Sequence, residues 1–231
     1  MANAKLRKTN IAEVGSLFLK KKITLEFPLK NRYIKGMKAI LGGSFDPPHL
    51  GHIEMAEAVL KSGHADQVSL MPCFSHNFGK SMTPPKHRLA MCRLCERPGI
   101  VVDPFEIKSM LTGGTLALVT ALNVENYENT RPTFVIGADN AACFKKWVRY
   151  EELLVRAQFI IIPRKGTEIS REVRKMFKKH IILDTEITPS SSTLIRDCLE
   201  EWWKTLECER SLNKLLNPKV FEYIREHSLY K

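Results

Sequence analysis

The chain has 231 residues, 44% of them hydrophobic, and carries a net charge of +11. That length and hydrophobic content suffice for one sizeable core, so one main domain is expected. No stretch reaches the ~18 consecutive apolar residues that a membrane span requires. The apolar patch Val14–Leu19 is too short for a signal peptide, so neither a membrane partner nor secretion is expected.

The N-terminal segment differs in charge from the rest of the chain. Residues 1–36 hold nine basic and two acidic side chains, a balance of +7, which leaves +4 for residues 37–231. A modest positive balance over the main part of the chain suits an enzyme that holds phosphates. It is weak support for nucleic-acid binding, so no nucleic-acid partner is expected.

Residues 1–36 also show little core-forming pattern. They are predicted to form a basic, poorly ordered extension, with the main domain at residues 37–231. Two other interpretations stay open. The segment is poor in acidic residues, as targeting segments are, although it holds only two arginines and one serine. Alternatively, translation starts at Met37.

Short apolar runs alternate with helical patterns from Met37 onward. Runs of four or five apolar residues flanked by Gly, Pro or Asp are typical of fully buried strands. The predicted strands are Lys38–Leu41, Gln67–Met71, Ile100–Val102, Thr133–Ile136, Gln158–Ile162 and His180–Leu183. The predicted helices are Leu50–Lys61, Pro85–Cys95, Thr115–Asn126, Asn140–Trp147, Glu168–Lys178, Ser192–Trp203 and Pro218–Glu226. This alternation indicates an α/β fold, a doubly wound parallel sheet with helices on both faces.

A glycine-rich turn, GGSFDPPHLGH, joins the first predicted strand to the first helix at Gly42–His52. In doubly wound sheets, ligands bind beyond the C-terminal ends of the strands. The glycines let the backbone turn tightly and approach a ligand, and a helix start favours an anion. His49 and His52 are three residues apart, so they are expected to share a face of the first turn and to donate to phosphate oxygens. The turn therefore predicts a phosphate-binding site.

A second helix start, TPSSSTLIR, lies at Thr188–Arg196. Hydroxyl side chains at such a position cap the free backbone N–H groups. Arg196 lies four residues further on, where its guanidinium could bind two phosphate oxygens. Either motif alone is common. Two of them in one chain, each at a predicted helix start, strengthen the prediction of a phosphate-binding site.

Six cysteines are scattered along the chain, and two of them, Cys92 and Cys95, form a lone C-x-x-C in a predicted helix. A metal site would need a second pair or histidine ligands at suitable spacing, so a buried core pair is favoured and no protein metal site is expected. Nothing suggests a disulfide framework. The chain is therefore expected in a reducing compartment, the cytoplasm.

Five stretches of the chain resemble one enzyme family. GSFDPPHLGH is similar to the G-x-F-x-x-x-H-x-G-H signature of the nucleotidyltransferase superfamily, and SSTLIR to its second signature, S-S-T-x-I-R. FVIGADNAACFKKW, FIIIPRKG and LLNPKVFEYIREHSLY resemble segments of bacterial nicotinate-nucleotide adenylyltransferases. The resemblance covers Met37 to Tyr230. It implies a Rossmann-like nucleotidyltransferase fold and transfer of AMP from ATP to nicotinate mononucleotide, giving deamido-NAD and pyrophosphate in NAD biosynthesis.

The resemblance also implies roles for individual residues. His49, His52 and Arg196 would be catalytic and would bind ATP phosphates, with Arg196 on the β and γ phosphates. The other ATP-binding residues would be Gly43, Ser44, Phe45, Ser191, Ser192 and Thr193. The mononucleotide-binding residues would be Thr115 near the pyridine carboxylate, Gly137 for close backbone approach, Asp139 near the ribose, Trp147 stacked on the ring, and Lys80 and Arg164 on phosphate. Mg²⁺ would bridge phosphate oxygens, held by substrate and water. A homo-oligomer stays open.

Two departures from the family pattern affect substrate choice. The family's P-P-H-K is replaced within Pro72–Lys80, and its S-Y-T is replaced by Gly113–Thr115. The second change lies where the family recognises the pyridine carboxylate, so an amide-using or dual-specificity enzyme stays open. A sister phosphopantetheine adenylyltransferase or cytidylyltransferase is the nearest rival, and the I-G-x-D…W segment favours the pyridine enzyme. The chain is too short for a class I aminoacyl-tRNA synthetase with an anticodon domain.

We expect a chain that starts at Met37 to fold and to keep its adenylyl-transfer activity. The first predicted strand and its phosphate turn begin there, and the preceding segment shows little core-forming pattern. The check is to purify residues 37–231 and compare turnover and thermal unfolding with the full chain. An insoluble product, or one that has lost most of its activity, would make the N-terminal segment part of the fold.

Overall fold

The computed structural model describes residues 36–75, 81–124, 131–166, 168–185, 187 and 190–231. The predicted N-terminal extension lies outside the described residues except for Gly36, and Lys80 lies outside them as well. None of the described helices is long and apolar enough to cross a membrane.

The centre of the structure is a six-stranded, all-parallel sheet with the order β3-β2-β1-β4-β5-β6. The strands are β1 Lys38–Gly43, β2 Gln67–Pro72, β3 Ile100–Val102, β4 Thr133–Gly137, β5 Gln158–Ile162 and β6 Ile181–Ile182. All six predicted strands are confirmed, although β6 is shorter than its prediction. The chain runs outward in one direction from β1 and in the other from β4, so the switch point lies between these two neighbours, where such sheets bind ligands.

Side chains alternate between two hydrophobic cores, one on each face of the sheet. In β1, Ala39 and Leu41 belong to one core and Ile40 to the other. In β5, Ile160 belongs to the first core and Phe159 to the second. This alternation follows from the two-residue period of a strand. Because both faces are apolar, helices must cover both, and the predicted doubly wound architecture is confirmed.

Ten α-helices are found among the described residues. They are α1 Leu50–Lys61, α2 Pro85–Arg93, α3 Phe105–Lys108, α4 Gly114–Val124, α5 Ala138–Ala142, α6 Tyr150–Arg156, α7 Arg171–Met176, α8 Ser192–Thr205, α9 Glu209–Leu215 and α10 Pro218–Glu226. The predictions for α1 and α10 are confirmed to the residue. Periodicity missed α3, α6 and α9 because four to seven residues give too few turns to show a pattern.

Other helix predictions need correction at their ends. α7 begins only at Arg171 because Ser170 caps it by accepting a hydrogen bond from the Val173 backbone N–H at 3.3 Å. α2 ends two residues early, α8 runs two residues further than predicted, and α4 begins one residue early at Gly114.

The predicted helix Asn140–Trp147 is wrong as one element. The chain forms α5 and then a separate 3-10 helix, Phe144–Lys146. The break falls at Cys143, whose N–H bonds to the carbonyls of both Asp139 and Asn140. The tighter turn seats Phe144 in the core, where its ring centroid lies 5.0 Å from that of Phe159. Packing of one aromatic ring has therefore overridden a continuous helical pattern.

Cys92 and Cys95 are both buried free thiols, as the core interpretation predicted. Cys95 lies just after α2, and its N–H bonds to the Cys92 carbonyl at 2.9 Å. Burial raises the pKa of Cys92 well above its usual value and that of Cys95 to about 11. Both therefore remain protonated at neutral pH and act as small apolar side chains.

Candidate nucleotide-binding site

The turn after β1 is shaped by a buried aromatic residue. Phe45 has a positive φ of 48° and is only 1% exposed. Non-glycine residues seldom adopt this conformation, so packing must hold it there. The Phe45 ring contacts His52 with a centroid separation of 4.8 Å. This arrangement carries the chain from β1 into the first turn of α1.

His49 and His52 are stacked at the start of α1, with ring centroids 3.7 Å apart. His49 is the N-cap residue, and its backbone N–H donates to His52 Nδ1 at 3.1 Å. His52 Nδ1 is thus an acceptor, so in the neutral ring Nε2 carries the proton and can donate. The structure brings together the two histidines that the sequence singled out, although His49 lies at the cap and not inside the helix.

Both histidines are neutral at physiological pH. Burial, followed by the nearby Arg164 guanidinium, lowers the pKa of His49 to about 4. Burial, followed by His49 and Arg164, holds the pKa of His52 well below its usual value. Each ring can therefore donate one hydrogen bond without adding a positive charge. The positive charge of the site must come from its arginines.

The second helix start, at α8, is joined directly to the turn after β1. Ser191 caps α8 by accepting from the Thr193 N–H at 3.2 Å. Ser192 Oγ donates to the Pro47 carbonyl at 3.1 Å. Arg196 Nη1 donates to the Asp46 carbonyl at 2.7 Å. The two motifs that the sequence placed about 140 residues apart thus form one site.

Ser190 was missed by the sequence prediction. Its hydroxyl lies 3.2 Å from His49 Nδ1. A side chain at Gly51 would place its Cβ only 1.8 Å from Ser190 Oγ, so a larger residue would displace the Ser190 hydroxyl from its contact with His49. The glycine of the H-x-G-H motif therefore serves the contact between the two motifs.

Gly137, Asp139 and Arg164 lie together beyond β4 and β5. Arg164 Nε is 3.3 Å from Asp139 Oδ1, and Arg164 Nη1 donates to the Ser190 carbonyl at 3.4 Å. A Cβ at Gly137 would lie 2.5 Å from Asp139 Oδ1. Glycine at this position therefore makes room for the Asp139 carboxylate. The structure gathers these three predicted residues and places Arg164 between the histidines and Asp139.

A cavity of about 340 Å³ opens beside the turn. Its wall includes the predicted residues Gly43, Ser44, Thr115 and Trp147. The other lining residues are Gly42, Cys73, Ser75, Glu106, Gly113, Gly114, Leu116, Leu118, Phe134, Val135, Ile136, Asn140, Lys146, Val148 and Leu153. The cavity runs from the end of β1 to the start of α4, so it has the polar and aromatic boundaries of a small-molecule site.

Trp147 is half-buried in this wall and packs on Phe144, with ring centroids 4.8 Å apart. Elsewhere in the wall, Gly113 and Gly114 have φ values of +101° and +72°. Glycine adopts such values without strain, which allows the sharp entry into α4 next to Thr115. An aromatic face and a helix start therefore border the same cavity.

Arg88 supports the site from behind and was also missed. Although charged, it is completely buried, and it donates to the carbonyls of Thr83 at 2.8 Å, Ser44 at 2.8 Å and Phe74 at 3.3 Å. Three carbonyl partners compensate for the loss of water around its guanidinium. A signal was present in the sequence: Arg88 lies three residues before Met91 on the buried face of α2.

Two helix starts that meet at the switch point of a parallel sheet define this chain as a nucleotide-binding α/β protein. The family model for cytidylyltransferase-like proteins matches residues 40–198. A probable nicotinate-nucleotide adenylyltransferase of Myxococcus xanthus is 32% identical over 195 residues, which are 83% of this chain and 93% of that protein. The nicotinate-nucleotide adenylyltransferase of Bacillus subtilis is 30% identical over 196 residues, 83% of this chain and 97% of that protein.

Among solved structures, the nicotinic acid mononucleotide adenylyltransferase of Plasmodium falciparum, complexed with NaAD, has the same fold. Its TM-score is 0.71 at 24% identity, over 84% of this chain and 97% of that chain. The chain belongs to the nicotinate-nucleotide adenylyltransferase family, within the cytidylyltransferase-like group.

We expect Glu106, a half-buried cavity residue, to make stability depend on pH. Burial raises its pKa from 4.5 to about 7, against a backbone hydrogen bond from Phe74 and the charge of Arg88, which both lower it. The folded protein therefore binds this proton more tightly than the unfolded chain does. The stabilisation is complete below pH 4.5 and is lost as the pH rises to about 7.

Glu106→Gln removes this titration and keeps the shape of the side chain. Between pH 5 and pH 8, the free energy of unfolding of the variant relative to wild type should rise by on the order of 1–2 kcal/mol. Urea unfolding at both pH values measures it, and the exposed Glu54→Gln is the control. An equal difference at the two pH values would contradict a raised pKa at Glu106.

Proposed function

We propose that this chain transfers AMP from ATP to nicotinate mononucleotide, releasing pyrophosphate and forming deamido-NAD, a step of NAD biosynthesis. The observation that carries the proposal is the joining of the α1 and α8 starts through Asp46 and Pro47, beside a cavity walled by Trp147. The names of the relatives support a pyridine mononucleotide as the acceptor.

The triphosphate of ATP is placed at the two helix starts. In this proposal His49 and His52 donate to phosphate oxygens, and Arg196 lies on the β and γ phosphates. Ser191, Ser192 and Thr193 line the ATP with Gly43, Ser44 and Phe45. The stacked neutral imidazoles and the free N–H groups at the start of α1 support this placement, because fixed donors stabilise an anion where charge develops.

The mononucleotide is placed in the cavity. Trp147 stacks on the pyridine ring, and the backbone at Thr115 faces the ring's carboxylate. Asp139 lies near a ribose, with Gly137 allowing close approach of the backbone. Arg164 contacts phosphate, and its ion pair with Asp139 fixes its orientation for that role. Lys80, outside the described residues, is proposed as a further phosphate contact.

The reaction then needs no covalent enzyme intermediate. An oxygen of the mononucleotide phosphate attacks the α-phosphorus of ATP in line, forming the new P–O bond as the bond to pyrophosphate breaks. The chain positions both reactants and neutralises charge that accumulates on the leaving group. Arg196 supplies this neutralisation, and the two neutral histidines stabilise the phosphate oxygens by donating hydrogen bonds.

We propose that Mg²⁺ would arrive with ATP, held by substrate and water, and would supply positive charge at the phosphates. Mg²⁺ characteristically keeps several waters and binds through substrate phosphates with few protein ligands. Among the described residues, no group of three or more His, Cys, Asp or Glu side chains could hold a metal ion.

The cellular setting belongs to the same proposal. We place the enzyme in the cytoplasm, because the cysteines of the described residues are free thiols. Its partners are ATP and the mononucleotide, with no nucleic-acid partner, and a homo-oligomer is compatible with this proposal.

His52→Ala, and separately His49→Ala, should lower kcat by on the order of 10² or more while the fold survives, since each removes a donor aimed at developing phosphate charge. Pyrophosphate release under saturating substrates measures kcat, and thermal unfolding checks the fold. His64→Ala, which removes a histidine three residues beyond the C-terminal end of α1, is the control. A folded His52→Ala protein with near-normal turnover would rule out this mechanism.

Nicotinate mononucleotide should be preferred over the amide form. Free N–H groups at the start of α4, which borders the cavity, favour a carboxylate over a neutral amide. The replacement of the family's Ser-Tyr by Gly113 and Gly114 widens the loop's conformational range, and this makes dual specificity the main alternative. A tenfold or larger advantage of the acid corresponds to about 1.4 kcal/mol.

The measurement is the ratio of kcat/KM for the two mononucleotides under one set of conditions, with phosphopantetheine as a third acceptor. A ratio near one would mean a dual-specificity enzyme, and a ratio favouring the amide would overturn the acceptor assignment. Turnover of phosphopantetheine alone would identify the sister activity.

A further inference from the structure

We infer that Tyr230, the penultimate residue, is a positioning residue for the ATP-phosphate turn, which it holds through Asp46. The inference rests only on the part of the proposed function that concerns ATP binding, not on the identity of the acceptor. Tyr230 is 184 residues away from Asp46 in the chain, yet its hydroxyl donates to Asp46 Oδ1 at 2.7 Å. The C-terminal tail, residues 229–231, thereby reaches the back of the turn.

Asp46 is the point at which three separate segments hold the turn. Its carboxylate is buried, with the residue 3% exposed. Besides the hydroxyl of Tyr230, the carboxylate accepts from the backbone N–H of Thr83 at 3.3 Å. Its main-chain carbonyl accepts from Arg196 at 2.7 Å. A shift of Asp46 would therefore move both the turn and an arginine proposed to contact the β and γ phosphates.

The tail itself is fixed by several contacts. Trp203 Nε1 donates to the Leu229 carbonyl at 2.9 Å, and Lys231 Nζ lies 4.5 Å from the centre of the Trp203 ring. Ser228 and Tyr230 both have positive φ values, 50° and 60°. Non-glycine residues keep such conformations only where the surrounding structure over-determines them. These contacts and backbone conformations therefore fix the position of the Tyr230 hydroxyl.

The chemistry of this contact explains why it should matter for ATP. A buried carboxylate needs hydrogen-bond donors, and among the described residues Tyr230 and Thr83 supply them from other segments. Burial and the Asp46 charge raise the pKa of Tyr230, so the phenol stays protonated and remains a donor. Without that donor, Asp46 should move towards other donors, carrying the turn and the Arg196 contact with it.

The test compares Tyr230→Phe with Tyr223→Phe. Both changes remove one hydroxyl and keep the ring, but the Tyr223 hydroxyl pairs with His87 Nδ1 and not with the turn. The dissociation constant of ATP is measured calorimetrically, and KM is measured for each substrate. For Tyr230→Phe we expect the ATP dissociation constant and ATP KM to rise at least fivefold, with mononucleotide KM changed less than twofold. Tyr223→Phe should match wild type in all three.

A double-mutant comparison tests whether Asp46 is the link. Asp46→Ala removes both carboxylate oxygens and with them the acceptor of the Tyr230 hydroxyl. In that background, adding Tyr230→Phe should change the ATP dissociation constant less than twofold. A full fivefold effect there would overturn the link through Asp46, because the hydroxyl would then act by another route.

Two further results would overturn the inference. One is a folded Tyr230→Phe protein that binds ATP as wild type does. The other is an equal rise in both KM values, which a general loosening of the fold would produce. If Tyr230→Phe does not fold, Trp203→Phe loosens the tail without touching the turn, and an unchanged ATP dissociation constant in that variant would count against the inference. ATP binding is measured without an acceptor, so a wrong acceptor assignment leaves this test intact.

Discussion

The site depends on one long-range contact, the hydrogen bond from Arg196 to the main-chain carbonyl of Asp46. This bond joins residues 150 positions apart and fixes the start of α8 against the turn that leaves β1. Neither motif is a complete phosphate site by itself. The sheet makes the contact possible, since β1 and β4 lie side by side at its centre and the later segments return to the same edge.

Around that contact, charges and neutral donors are divided between different residue types. The histidines are buried and neutral, with the pKa of His49 near 4, so they offer directed hydrogen bonds. Arg164 and Arg196 supply positive charge. Arg88 is buried behind the turn, where carbonyls accept its hydrogen bonds, and Asp46 is buried within the turn, where a backbone N–H and the Tyr230 hydroxyl donate to it. Such fixed polar groups need little rearrangement when an anion binds, which is the condition for electrostatic catalysis.

The fold and the two phosphate motifs could be predicted from the sequence because their signals are local. The six strands are short apolar runs between turn residues, and α1 begins where proline and histidine end the loop. Residues whose role depends on a partner far away in the chain could not be predicted from such local signals. Ser190 contacts His49 across 141 residues, and Tyr230 contacts Asp46 across 184. The broken helix at Cys143 escaped prediction because tertiary packing of Phe144 decided it.

The central claim is a direct, in-line transfer of the adenylyl group, and its stereochemical course tests that claim most directly. ATP made chiral at the α-phosphorus by sulfur substitution would be used with nicotinate mononucleotide, and the configuration of the product would be determined. A single displacement predicts inversion at phosphorus. Retention would require two displacements through a covalent adenylyl-enzyme. It would contradict an account in which the histidines only donate hydrogen bonds to the phosphates and Arg196 only neutralises their charge.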